Sequence, residues 1–360
     1  MIEMEKTWVN ISDVLFFQEG PGVRNTQYTT SGVKLLNVAN LVDGKVDLST
    51  SDRYISEDEA YGKYSHFLCD VGDFIVASSG IKVEYIDKKM GFIEESMLPL
   101  CMNTSTIRFK VLDEKLLRIK YFMYYLKSQH FKGQLAREIT GSAQLNYGPS
   151  HLKKMVMPLV DISIQDEIVQ QMDKVQKIID MRQMELSHLD DLIKARFVEM
   201  FGDPIINSKN KDTQDLKDVL VLKAGDFTAA SDISEEPTET NIYPCYGGNG
   251  IRGYVADYNQ EGEYSLVGRQ GALSGNVQYA EGKFRNTEHA LLVTPIIEMN
   301  SIWLNQLLIN LDLKRYQTGA AQPGLSVKNL QEISIIMVSI DEQNRYADFV
   351  KQVDKSKVVA

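Results

Sequence analysis

The chain has 360 residues, 43% of them hydrophobic, and sets 39 basic against 49 acidic side chains for a formal net charge of -10. That length suggests two or three domains with real cores, no apolar run approaches a membrane span, and the acidic, polar opening MIEMEKTWVN is no secretory signal. Cys69, Cys101 and Cys245 are far apart and lack metal spacing, which fits a reducing cytoplasm, while the acidic total argues only weakly against nucleic-acid binding because a local basic face remains open to it.

A first block runs from Trp8 to about Pro158. It opens with a short helix-like start, Ile11 to Leu15, and continues through β-branched strand candidates at Val33 to Asn37, Phe74 to Ala77, Val83 to Ile86 and Thr104 to Phe109. A helical stretch from Leu116 to about Ile139 follows, then Thr140-Gly141-Ser142-Ala143-Gln144, Leu152, Pro158 and Gln165. Next comes Ile164 to Phe201, free of Gly and Pro, with Ile168, Met172, Val175, Ile179, Leu186, Leu189 and Ile193 at alternating spacings of four and three. Arg182 alone breaks the row. This heptad seam predicts one helix of roughly 50 Å, at 1.5 Å per residue, packed against another helix. Asp161 or Ser163 is placed to cap its start, and Gly202-Asp203-Pro204 stops it.

A second block, from about Asp215 to Val338, echoes the first. Leu216 to Leu220 repeats the opening, strand-rich sequence runs from Ile242 to Val293, and an apolar helix candidate spans Ile302 to Leu313. Thr140, Gly141, Ala143, Gln144, Leu152 and Gln165 precede Thr318, Gly319, Ala321, Gln322, Leu330 and Gln343, each by the same offset. The chain therefore reads as a tandem duplication, block then helix, twice. Near Asp341 the second helix starts, and Tyr346, Val350 and Val353 carry its seam. The fold class is α+β: two duplicated α/β blocks, separated by an antiparallel pair of coiled-coil helices with pseudo-twofold symmetry.

Several catalytic patterns fail. Gly248 to Gly253 matches G-x-G-x-x-G, but Pro244 precedes it and Tyr254 to Tyr258 looks like a strand, so a glycine-rich β turn is the better reading. Gly275 to Lys283 superficially resembles a phosphate loop with the wrong spacing, and Phe284 stands where Ser or Thr belongs. His66, His130, His151, His188 and His289 show no zinc spacing. What remains is a duplicated binding scaffold whose loops carry Arg24, Asn25, Ser78, Ser79, Lys82, Gln144 and Tyr147 in block one. Block two carries Tyr246, Asn249, Arg252, Arg269, Gln270, Lys283, Arg285, Asn286 and Gln322, the counterpart of Gln144. Arg and Lys suit guanine or phosphate, and Asn and Gln suit adenine. Singly each is an ordinary surface residue. As two clusters on two copies of one scaffold, they suit a two-part DNA site.

The chain as a whole resembles the specificity subunits of Type I restriction-modification enzymes. The resemblance rests on Gly141 to Gln144 with the following leucine and proline, and on a long helix ending Arg196-Phe197-Val198-Glu199-Met200-Phe201-Gly202-Asp203-Pro204. It rests also on Tyr243 to Gly250 and on Gly268-Arg269-Gln270-Gly271. It implies target recognition domains at 1–160 and 204–339, with helical spacers at 161–203 and 340–360. Each domain would read half of a split, asymmetric DNA sequence, and the helices would fix the unread gap. The chain would be non-catalytic and would hold no cofactor. Two modification subunits would supply S-adenosylmethionine chemistry and restriction subunits ATP- and Mg-dependent cleavage, all in the cytoplasm. The second helix is about half the length of the first, naturally short or cut short, which leaves part of the first seam open to a second copy or a partner subunit. The rivals are a coiled-coil adaptor joining protein partners without sequence readout, and an enzyme hidden in the Gly-rich loops.

Overall fold

In the computed structural model, which describes residues 7–139, 146–271, 273–319 and 324–359, the chain divides into two units, Met1–Ile178 and Ile179–Ala360. Unit 1 opens with β1 (Thr7–Asn10), the single turn α1 (Ile11–Val14) and β2 (Leu15–Glu19). Five strands and a short helix follow: β3 (Val33–Leu36), β4 (Leu41–Val42), β5 (Lys45–Val46), β6 (Tyr54–Ile55), α2 (Glu57–Tyr61) and β7 (Phe74–Ala77). Then come β8 (Met90–Phe92), β9 (Leu100–Met102), β10 (Thr106–Val111), α3 (Ile119–Lys127), α4 (Gln129–Glu138), α5 (Pro149–Leu152) and β11 (Val156–Leu159). The main sheet has the order β2-β10-β7-β8, and β11 returns antiparallel to β1. α3 covers this sheet with Phe122, whose ring lies 5.0 Å from that of Phe109.

Helix α6 (Ile162–Phe201) runs 40 residues without interruption. It starts two residues before the sequence reading placed it, so Ser163 lies inside the helix and cannot cap it. Asp161 sits at the start, its carbonyl accepting from Gln165 N at 3.0 Å. Gly202 ends the helix at φ +85°. That left-handed conformation favours glycine, and a Cβ there would lie 2.7 Å from Ser208 Oγ.

Unit 2 repeats the plan with β12 (Thr213–Asp215), α7 (Leu216–Val219), β13 (Leu220–Ala224), β14 (Tyr243–Gly247), β15 (Gly250–Val255), β16 (Gln260–Gly268), β17 (Val277–Asn286) and β18 (Ala290–Pro295). It closes with α8 (Ser301–Asn310), α9 (Val327–Gln331), β19 (Ser334–Ile336) and α10 (Ile340–Val359). Its sheet order is β13-β18-β16-β17-β14-β15, whose first four strands reproduce the unit 1 order, and β19 returns to β12 as β11 does to β1.

The glutamines matched by the sequence repeat do the same work. Gln165 accepts from the backbone N of Arg118, the residue preceding α3, at 2.9 Å and donates to Val160 O at 2.8 Å. Gln343 accepts from the backbone N of Asn300, the residue preceding α8, at 2.9 Å and donates to Val338 O at 3.0 Å. Both side chains are buried. Each uses its carbonyl to satisfy an N–H at a helix start and its amide to hold the strand leaving the small sheet. This is a complete polar pairing of the kind that burial demands.

Only part of the expected helix seam is paired within the chain. Ile193, Tyr346, Val350 and Val353 are buried, Leu189 is half-buried, and Tyr346 OH donates to Ile193 O at 3.1 Å. Lys357 Nζ meets Asp190 at 2.7 Å, so α10 runs antiparallel to the end of α6. Ile168 packs on the unit 1 core. Met172, Val175, Ile179 and Leu186 are exposed, and every residue from Lys177 to His188 is exposed. Among the described residues of unit 2, Ile179 and Leu186 lie outside the core that α10 shares with α6, which begins at Leu189.

Three other readings need correction. Val83 to Ile86 is a 3-10 turn (Val83–Lys88), not a strand. Tyr85 N bonds Lys82 O, and of the four residues Ile86 alone is fully buried. The alternating in-and-out pattern of a strand is absent. The helix expected from Leu116 to Ile139 breaks at Ser128, whose hydroxyl accepts from Phe131 N at 3.2 Å. That bond caps α4. The helix expected to Leu313 stops at Asn310, and Asp312 is left-handed at φ +47°. The three cysteines are free and buried, and burial pushes the Cys69 and Cys101 thiols up to about 12. A thiol so protonated is a poor nucleophile at neutral pH.

Candidate nucleic-acid interface

The same clamped loop occurs in each unit. In unit 1, β7 runs into Ser78-Ser79-Gly80. Ser78 N donates to Ser105 O at 2.8 Å, Tyr147 N donates to Ser78 O at 2.9 Å, and Ser79 bridges Asn146. In unit 2, β16 runs into Arg269-Gln270-Gly271. Arg269 N donates to His289 O at 3.1 Å, Leu325 N donates to Arg269 O at 2.9 Å, and Gln270 bridges Gly324. Asn146 and Gly324 are one repeat apart, each the second residue after its Gly-x-Ala-Gln element. Thus each loop following a central strand is fixed on both sides by backbone hydrogen bonds, and its side chains project from a set geometry.

Those side chains pair differently in the two units. Ser79 Oγ donates to Ser105 Oγ at 2.6 Å. Gln270 Oε1 lies 3.0 Å from His289 Nδ1. Both loops adjoin further polar groups. In unit 2 the Gly248-Asn249 turn between β14 and β15 presses against the loop, because a Cβ on Gly268 would lie only 2.3 Å from Gly248 O. Asn249 Oδ1 there accepts from Asn276 Nδ2 at 3.0 Å. In unit 1 the loop continues into a groove of about 560 Å³ lined by Lys82, Lys88, Lys89 and Tyr85. On its other side, Ser105 borders a groove of about 350 Å³ with Asn37, Arg53 and Thr104.

The candidates read from the sequence separate into groups. Ser79, Lys82, Asn249, Arg269 and Gln270 lie on or beside the clamped loops. Arg24 and Asn25 are exposed on unit 1, and Arg252 is exposed on β15, its side chain lying over Gly247 beside the Gly248-Asn249 turn. Tyr246 packs its ring 5.4 Å from Phe284, and Lys283 lies 4.7 Å over the Tyr258 ring. Arg285 is engaged by Asp257 at 2.7 Å and Thr228 at 3.2 Å. Ser78, Tyr147 and Asn286 are corrections. Their side chains are buried, and burial pushes the Tyr147 hydroxyl far above the ordinary tyrosine range. Asn286 holds the 259–290 region instead, its backbone N donating to Asn259 Oδ1 at 2.8 Å. None of the three can offer its side chain to a duplex. Gln144 and Gln322 fall outside the described residues.

Sequence reasoning missed Ser105, His289, Lys88, Lys89 and Arg53. One signal for Ser105 and His289 was available: each immediately precedes a strand of the repeat, β10 or β18. Ser105 also takes φ +70°, uncommon for a residue with a side chain. Among the described residues, no group of three or more His, Cys, Asp or Glu could hold a metal ion, and no helix is long and apolar enough to cross a membrane.

Comparison with known proteins adds a family. The model for the Type I restriction modification DNA specificity domain matches residues 13–189 and 208–358, one segment on each repeat. Over 247 residues the chain is 33% identical to the Type I restriction enzyme EcoprrI specificity subunit of Escherichia coli, covering 66% of this chain and 61% of that one. Over 194 residues it is 23% identical to the Type I restriction enzyme MjaVIII specificity subunit of Methanocaldococcus jannaschii, covering 52% of this chain and 44% of that one. The chain thus spans less than two thirds of the length of either relative. Its fold is similar to the crystal structure of the Type-I restriction-modification system S subunit from M. genitalium, with TM-score 0.53 and 19% identity over 99% of this chain and 91% of that one.

Proposed function

We propose, from the premise that this chain belongs to the Type I restriction modification DNA specificity domain family, that it reads a two-part DNA sequence for a Type I restriction-modification complex. Residues 1–160 and 204–339 each read one half, and the helical segments 161–203 and 340–360 set the unread gap. The chain performs no chemistry itself. Two modification subunits bring S-adenosylmethionine, restriction subunits bring ATP and Mg, and the assembly works in the cytoplasm. The observation that carries this reading is the loop clamped identically in both repeats but furnished with different side chains. Duplicated scaffolds with divergent contact residues suit an asymmetric bipartite target. Phosphate contacts would set register and the loops would read base edges.

Arg269 supplies the test. It stands at the head of the unit 2 loop with its backbone tied at both ends. Arg269→Ala, expressed with the modification subunits, is expected to relax or abolish recognition of one half-site by about 10- to 100-fold while leaving the other half intact. Mapping methylated adenines across a genome gives the answer. Two unchanged half-sites would remove Arg269 from the interface, and methylation without any sequence preference would favour an adaptor that joins partners and reads nothing.

A further inference from the structure

One structural position holds chemically different pairs in the two units. We infer that Ser79 with Ser105, and Gln270 with His289, are equivalent specificity-determining pairs, each selecting a base pair in its own half-site. The inference rests on the DNA-reading function above and names the positions at which the two halves come to differ.

The backbone argument fixes equivalence. The second residue of each loop bridges the segment after the Gly-x-Ala-Gln element, and its side chain meets that of the residue preceding β10 or β18. Equal backbone pairing places the two side-chain pairs at one position of the repeat, so their different chemistry bears on the same part of each half-site. Gln270 is exposed and His289 half-buried. A free glutamine carboxamide rotates and shows donor and acceptor interchangeably. Contact with His289 at 3.0 Å ties Oε1 and leaves Nε2 to solvent. A carboxamide held this way, with its amide donor and its second carbonyl lone pair facing outward, matches the N7 acceptor and N6 donor of adenine in the major groove. Histidine here orients the reader and does not itself need to touch DNA. Its other nitrogen, Nε2, lies 3.2 Å from Glu288 Oε1.

The unit 1 pair has a different character. Two serine hydroxyls lie 2.6 Å apart. Both side chains are short and can each donate or accept, so they suit more than one base. They sit between lysines Lys82, Lys88 and Lys89 on one side and the polar groove of Asn37 and Arg53 on the other. In a chain of net charge -10, three lysines gathered along one groove beside the loop, against the single carboxylate of Asp43 in that lining, fit phosphate contacts that would bring the duplex onto the pair. The base pair under Gln270 is therefore expected to be tightly specified, and the one under Ser79 more loosely.

The test is methylation mapping with the chain and its modification subunits expressed together. Gln270→Ala and His289→Ala should relax the same single base pair of one half-site, by about 10-fold or more, and Ser79→Ala should act only on the other half. Relaxation at two different base pairs, or no change from either unit 2 variant, overturns the pairing. Should Gln270→Ala lose all methylation, Gln270→Glu keeps the side-chain shape while removing the amide donor. A changed preference at one base pair then supports the inference, and equal loss in both halves overturns it. A wild-type chain that yields no bipartite motif brings down the DNA-reading function, and this inference with it.

Discussion

Phe201→Ala is expected to destabilise unit 2 by about 3–5 kcal/mol. Phe201 is the last residue of α6 and is buried at the centre of an aromatic cluster. Its ring lies 5.0 Å from Phe197, 5.5 Å from Tyr346 and 6.2 Å from Trp303, so one side chain joins α6, α8 and α10. The loss combines the transfer of a large apolar group out of water with the cavity left among rings that cannot all collapse inward. Each lost edge contact adds to it. Trp303 reports directly on the event. In a Trp8→Phe background it is the sole tryptophan, and urea unfolding followed by its fluorescence should show the midpoint fall sharply. Ile178→Ala is the control, because Ile178 is exposed on the same helix. Its loss should cost no more than about 0.5 kcal/mol. A Phe201→Ala midpoint close to the parent would mean that the cluster does not hold the end of α6 in place.

Four residues inserted at Arg182 are expected to lengthen the unread gap in the DNA target without unfolding either unit. From Lys177 to His188 the helix is exposed at every residue, and the Arg182–Glu185 pair at 2.6 Å is local to the helix. An insertion of good helix formers there breaks no core contact. It adds one turn, about 6 Å at 1.5 Å per residue. DNA rises about 3.4 Å per base pair, so the gap should grow by about one to two base pairs. The readout is the spacing between half-sites in the methylated motif, with unfolding midpoints as the check on the fold. An unchanged gap in a folded variant would mean that α6 does not set the spacing.

The sequence made the large features legible for physical reasons. An uninterrupted run without Gly or Pro at heptad spacing has few alternatives to a long helix, and α6 starts only two residues before the expected Ile164. Gln165 and Gln343 betrayed the repeat because a buried glutamine that satisfies two backbone groups tolerates little drift in register. Burial was less legible. Ser78, Tyr147 and Asn286 are polar, so they read as surface, yet each is almost wholly buried. Val83 to Ile86 had strand-like composition, but a single inward residue decided its turn. The partners Ser105 and His289 escaped because loops of different length separate the equivalent positions. Matching at one constant offset finds the Gly-x-Ala-Gln elements and misses the residues packed against them. Only the strand order, common to both units, aligns those.

The division of reading between two duplicated units is tested most directly by mapping methylated adenines on DNA from cells that express the unmodified chain with its modification subunits. Two short, unrelated half-sites separated by an unread gap of fixed length are the expected result. A single continuous motif, or methylation with no sequence preference, would contradict it.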